Sequence, residues 1–98
     1  MTVVRSEGLF TAPASSEPVL LVGPFNLSLA GSFTASVRLE RSFDGGGSWH
    51  PLSRDAGGAE AAWQAPVSLS GEEPERGILY RVTCTSHESG SVSYRISQ

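Results

Sequence analysis

Lysine is absent from this chain, and every basic side chain is one of seven arginines. The arginines are scattered and form no stripe or cluster, which argues against a dedicated nucleic-acid surface. Cysteine is nearly absent as well. Cys84 stands alone, so no internal disulfide can form. Long apolar runs are missing: nothing approaches the roughly 20 residues that span a bilayer. The opening Met1–Ser6 has no apolar core of the kind a signal peptide needs. Charge is low, with a net value of −3. The chain therefore reads as a soluble product of a reducing cytoplasm with no membrane partner. Its 98 residues suffice for one domain. A domain this small leaves much surface exposed on folding. Without a disulfide, its extra stability comes either from subunit contacts or from a self-sufficient sandwich, and composition does not choose between them.

What is present reads as all-β. Short apolar, β-branched or aromatic runs alternate with Gly, Pro, Ser and Asp. Val19–Val22 is a short apolar strand. Phe25, Leu27 and Leu29 alternate with polar or small residues, as do Ala35, Val37 and Leu39. Gly31-Ser32 makes the turn between these two runs. Pro51 suggests an edge position for the segment after Trp49. Ala59–Gln64 reads as a strand, with an Ala-rich composition that also allows one helical turn, Val67–Leu69 as a strand, and Glu72–Gly77 as an acidic, solvated turn. Ile78, Tyr80, Val82 and Cys84 share one face. After a turn at Ser86–Gly90, Val92, Tyr94 and Ile96 return in the same way, so Ile78–Ser97 reads as the clearest hairpin. Residues 1–16 read as an N-terminal arm that a partner can order, and 17–98 as one domain. The expected fold is a single antiparallel β-sandwich of about seven or eight short strands, in the immunoglobulin or fibronectin style. Arg38–Ser53 and Arg81–Ser97 echo each other weakly, as duplicated hairpins or simply as two hairpins.

One run stands apart: Ser42-Phe43-Asp44-Gly45-Gly46-Gly47-Ser48-Trp49. Its pattern S-x-D-x-G-x-x-W resembles an Asp-box, a β-hairpin motif of sialidases and other β-proteins. Residue chemistry accounts for a turn there. Asp44 can accept hydrogen bonds from amides ahead of it, Gly46 and its neighbours can take positive φ, Ser42 can bond across the turn, and Trp49 can fold over the hairpin. The competing reading is a ligand site, with Trp49 and Trp63 stacking on sugar and Asp44 or Arg54 making polar contacts. A propeller needs several blades of about 40–50 residues each, so the run does not announce one.

Constellations for catalysis are thin. His50 and His87 lie in separate segments without metal-ligand spacing to Cys84, so no metal or other cofactor is expected. Cys84, on the predicted core face, reads as a small buried hydrophobe. Glu72, Glu73 and Glu75 crowd one loop, whereas glycosidases need two carboxylates facing across about 5–10 Å. No serine nucleophile has recognisable context. The expectation is a protein that is not an enzyme.

The runs Gly23–Phe33, Val37–Gly46, Gly77–Thr85 and Ser89–Gln98 together resemble small virion proteins encoded in the structural gene clusters of tailed bacteriophages. The resemblance covers roughly residues 20–98 and omits the arm. It implies a structural role: capsid decoration, or an accessory part of the neck or tail. The expected partners are other virion proteins and further copies of the chain, in a particle assembled after synthesis in the host cytoplasm. A surface glycan is the partner under the alternative, host-adhesion reading. The resemblance supplies no catalytic residue.

Overall fold

A computed structural model describes residues 5–52 and 62–98. Eight strands form one antiparallel sheet: β1 (Arg5–Phe10), β2 (Ala14–Ser15), β3 (Val19–Ala30), β4 (Phe33–Ser42), β5 (His50–Pro51), β6 (Ala62–Trp63), β7 (Val67–Gly90) and β8 (Val92–Ser97). Their order is β1-β8-β3-β7-β4-β5, with β2 added to β7 and β6 to β4. The described residues contain no helix. The all-β, antiparallel class expected from the sequence is therefore the one observed.

Two strands organise the rest. β3 and β7 are long because each runs through both limbs of the sheet. Gly23–Leu29 pair with Glu73–Val67, and Val19–Leu21 pair with Tyr80–Ile78. Between these stretches, residues 74–77 of β7 face Val22 alone. Gly23 and Gly77 take positive φ there, 78° and 84°, which a side chain resists. One limb holds β1, β8, the second part of β3 and the first part of β7. The other holds β2, the start of β3, the second part of β7, β4, β5 and β6.

Alternation decides how the limbs meet. Leu21, Leu27, Val37, Val82, Val92 and Ile96 are fully buried, and they come from both limbs. They belong to one core cluster. Side chains from the inward faces of both limbs pack into this shared cluster. Phe25 of one limb lies against Tyr80 of the other, ring centroids 5.0 Å apart. Each such Leu, Ile or Val side chain contributes about 1.5–3 kcal/mol by leaving water.

Three sequence readings change. The first concerns Ile78–Ser97, which is not a hairpin. β3 lies between β7 and β8 in the sheet. Both edges of β7 are already occupied, by β4 on one side and by β2 and β3 on the other. β8 must therefore cross to the other limb, where it pairs with β3 and β1. The expected turn at Ser86–Gly90 is strand, paired with β4 through two register shifts. The echo between Arg38–Ser53 and Arg81–Ser97 consequently joins two unlike connections. Gly31-Ser32 does turn the chain, but β7 lies between β3 and β4, so this connection is also a crossover.

The second change concerns the N-terminal arm. Residues 5–10 pair along the whole of β8, and Ala14 and Ser15 pair with Cys84 and Thr83. Phe10 is 3% exposed and stacks on Tyr94 at 4.3 Å. The polar Ala12–Ser16 run concealed these anchors. The third change is at Glu72–Gly77. The segment is part of β7 and not a turn; most of it is exposed, but Glu73 is completely buried. It falls at the end of the inward series Val67, Leu69, Gly71.

Candidate functional site

The Ser42–Trp49 run closes the connection from β4 to β5 with its own side chains. Ser42 Oγ donates to Asp44 Oδ1 at 2.7 Å and accepts from the Gly46 amide at 2.9 Å. Asp44 Oδ1 also accepts from the Ser48 amide at 2.9 Å, and Oδ2 from Ser48 Oγ at 2.8 Å. Gly45 and Gly46 have φ of 73° and 98°, which suits glycine. The hydrogen bonds from Ser42 and Ser48 hold the Asp44 carboxyl down at about 2, against an ordinary 3.8. Its folded value is depressed, so its contribution to stability is complete above about 3.8 and is lost as pH falls toward 2. Asp44→Asn is expected to lower the thermal midpoint at pH 7 and to narrow the gap to the parent protein at pH 2. Thermal unfolding followed by circular dichroism at both pH values checks this.

Trp49 is half-buried. Its ring lies under the guanidinium of Arg81, whose Cζ is 4.3 Å from the ring centroid. That contact leads into a buried carboxylate. Arg81 Nε donates to Glu40 Oε1 at 2.7 Å, and Thr83 Oγ1 donates to the same oxygen at 2.7 Å. Arg38 holds the other oxygen through Nε at 2.9 Å and Nη2 at 2.6 Å. Glu40 is 2% exposed. Burial pushes its carboxyl up, but the bonds from Thr83, Arg81 and Arg38 outweigh burial, and the net value lies below the ordinary 4.5. Register explains the grouping: Glu40 pairs with Arg81 and Arg38 with Thr83, all on one face.

A second buried carboxylate lies at the bend between the limbs. Glu73 Oε1 accepts from Tyr80 Oη at 2.8 Å and from the Arg41 guanidinium. Its Oε2 accepts from the Glu75 amide at 3.0 Å. Burial again raises the carboxyl, and the bonds from Tyr80, Glu75 and Arg41 more than offset it. Tyr80 responds oppositely: burial and its hydrogen bond to Glu73 push the phenol well above its usual range. Arg41 also lies over the rings of Phe43 and Tyr80, at 5.0 and 5.7 Å.

The structure thus brings Ser42, Asp44, Gly46 and Trp49 into one turn. It does not join Trp63 to them. Trp63 sits in β6 opposite Val37 and is packed against the core. Arg54 lies outside the described residues, as do residues 59–61 of the expected Ala59–Gln64 strand. Cys84 is buried, and burial pushes its thiol up. His50 lies beside Phe43, and His87 Nε2 is 2.8 Å from the Gly90 carbonyl oxygen. Among the described residues no three His, Cys, Asp or Glu side chains are grouped to hold a metal. Nor is any helix among them long and apolar enough to cross a membrane. The chain matches no protein-family model, no curated protein and no solved structure.

Sequence reading missed the two buried carboxylates. For Glu73 the signal was parity with Val67 and Leu69. For Glu40 alternation pointed outward, and that is correct; its burial comes from the arginines and the Trp49 turn that cover that face.

Proposed function

We propose that this chain is a non-enzymatic structural protein of a tailed-phage particle, decorating the capsid or forming an accessory part of the neck or tail, and acting through subunit contacts. One observation carries the reading: among the described residues, the turn carboxylate, the two buried carboxylates and Trp49 are each engaged by other groups of the chain. Asp44 serves its own turn, Glu40 and Glu73 are enclosed by arginines, and Arg81 occupies a face of Trp49. A buried, fully hydrogen-bonded carboxylate below its ordinary pKa is a poor general acid or base at neutral pH. What the surface offers instead is apolar: Leu9, Leu20, Val22 and Phe43 are each about half exposed, from 46% to 57%. Exposed apolar side chains and open strand edges suit association with other proteins. Repetition in a symmetric assembly lets modest contacts add up. The resemblance of residues 20–98 to phage virion proteins supplies the setting.

The test is co-sedimentation of the purified protein with separated phage heads and tails. Saturable pelleting with one of them is expected. Recovery in the supernatant with both would count against the proposal.

A further inference from the structure

The two limbs of the sheet differ in how their edges are protected. In the limb with β5, Pro51 occupies that edge, where it withholds a donor. Pro13 and Pro18 flank β2 on the opposite edge. The Gln98 side-chain amide bonds Val22 and Pro24 further along β3. The other limb runs β1, β8, β3, then Val67–Glu73 of β7. Among the described residues neither its β1 edge nor its Val67–Glu73 edge has a strand on its outer side; Pro66 and Pro74 bound the second segment, but the pairing positions within both segments are free of proline. Natural sheets seldom leave such edges open without a partner.

The geometry points to head-to-tail pairing of identical chains, with β1 of one copy adding antiparallel to Val67–Glu72 of the next. Strand polarity permits it. Four strands alternate in direction across this limb, so its two edge strands run oppositely. A neighbour in the same orientation therefore presents β1 antiparallel to the first part of β7. Register permits it too. Setting Arg5 opposite Glu72 places Phe10 opposite Val67 and Gly8 opposite Leu69, all on the core side. It also places Leu9 and Glu7 opposite Ser68 and Ser70, all on the exposed side. A slip of one residue would break every one of these matches. Charge agrees: Arg5 meets Glu72, and opposite charges directly across a ladder are favourable. Such a contact is heterologous, so it makes rings or filaments and not closed dimers. The inference rests on the subunit-contact part of the proposed function and is indifferent to the particle.

Two exposed positions give the test. Leu9→Cys and Ser68→Cys are prepared as separate proteins, with the buried Cys84 retained. Within one chain these sites lie about 14 Å apart, three strand spacings, beyond the roughly 7 Å limit for a disulfide. Oxidation of the mixture is expected to give a covalent dimer, while each variant alone forms no cross-link. A dimer from Leu9→Cys alone would mean β1–β1 pairing and would overturn the inference, as would monomers throughout. Sedimentation supplies a second reading that needs no cross-link. Glu72→Arg is expected to raise the half-assembly concentration about fivefold or more, and adding Arg5→Glu to restore it. Equal assembly of all three proteins would also overturn the inference. Success or failure here is separate from whether the chain sediments with phage heads or tails.

Discussion

Gly90→Ala is expected to destabilise the fold by about 2–6 kcal/mol, the largest effect of an added methyl group among the described glycines. Gly90 has a φ of 79°, which costs a non-glycine residue about 1–3 kcal/mol. The added carbon would also lie 2.8 Å from Phe33 Cα and closer still to the Ser32 carbonyl oxygen. Overpacking against atoms that cannot turn aside costs about another 1–3 kcal/mol. The site is crowded because the two crossovers pass each other there. Ser91 N donates to Ser32 O at 3.3 Å, and a carbon on Gly31 would meet Ser91 O at 2.6 Å. Gly77→Ala is the control. Its φ is 84°, but nothing lies within 4 Å of the added carbon, so only the backbone cost of about 1–3 kcal/mol applies. Urea unfolding should show Gly90→Ala with a clearly lower midpoint than Gly77→Ala at unchanged slope. Equal midpoints would mean that the crossovers are not packed as described.

Arg41→Ala is the second large effect, expected at about 3–5 kcal/mol near neutral pH. Removing the guanidinium leaves Glu73 ionised and fully buried, an arrangement whose cost exceeds what the pair contributed. The pH dependence separates this from lost packing. In the parent protein the Glu73 carboxyl is depressed below 4.5, so its contribution is present above that value and is lost as pH falls through the folded pKa. Without Arg41, burial is opposed only by the bonds from Tyr80 and the Glu75 amide, and the expected result is a carboxyl raised above its unfolded value. The variant should then gain stability as pH falls from 7 toward 5, over a range in which the parent is nearly flat. Denaturant titrations at pH 7 and pH 5 read this directly. A constant difference at both pH values would assign the loss to the packing of Arg41 on Phe43 and Tyr80.

How much was legible beforehand follows from these same residues. Local alternation revealed the strands and their inward faces. Leu27, Leu29, Val37, Leu39, Tyr80, Val82, Val92 and Ile96 all point where period two placed them. The Ser42–Trp49 turn was legible because its bonds are short-range: Ser42, Asp44 and Ser48 meet within one loop. Pairing partners were not legible. Two alternating runs separated by a glycine turn read as a hairpin, whether the second run folds back beside the first or crosses to the opposite limb. Only the occupancy of both β7 edges, set by β4 and by β2 and β3, decides it. The buried carboxylates were hidden for a similar reason. Parity marks Glu73 as inward, but the cations that make burial tolerable, Arg81 for Glu40 and Arg41 for Glu73, lie 41 and 32 residues away, and no local pattern records those partners.

In the proposed role, the polar and aromatic groups of this chain build the fold and its surfaces build an assembly on a phage particle. Electron cryomicroscopy of that particle, prepared with and without the protein, tests this most directly. The expected result is a regular, multi-copy density on the head, neck or tail that disappears with the protein. Identical particles in both preparations would contradict it.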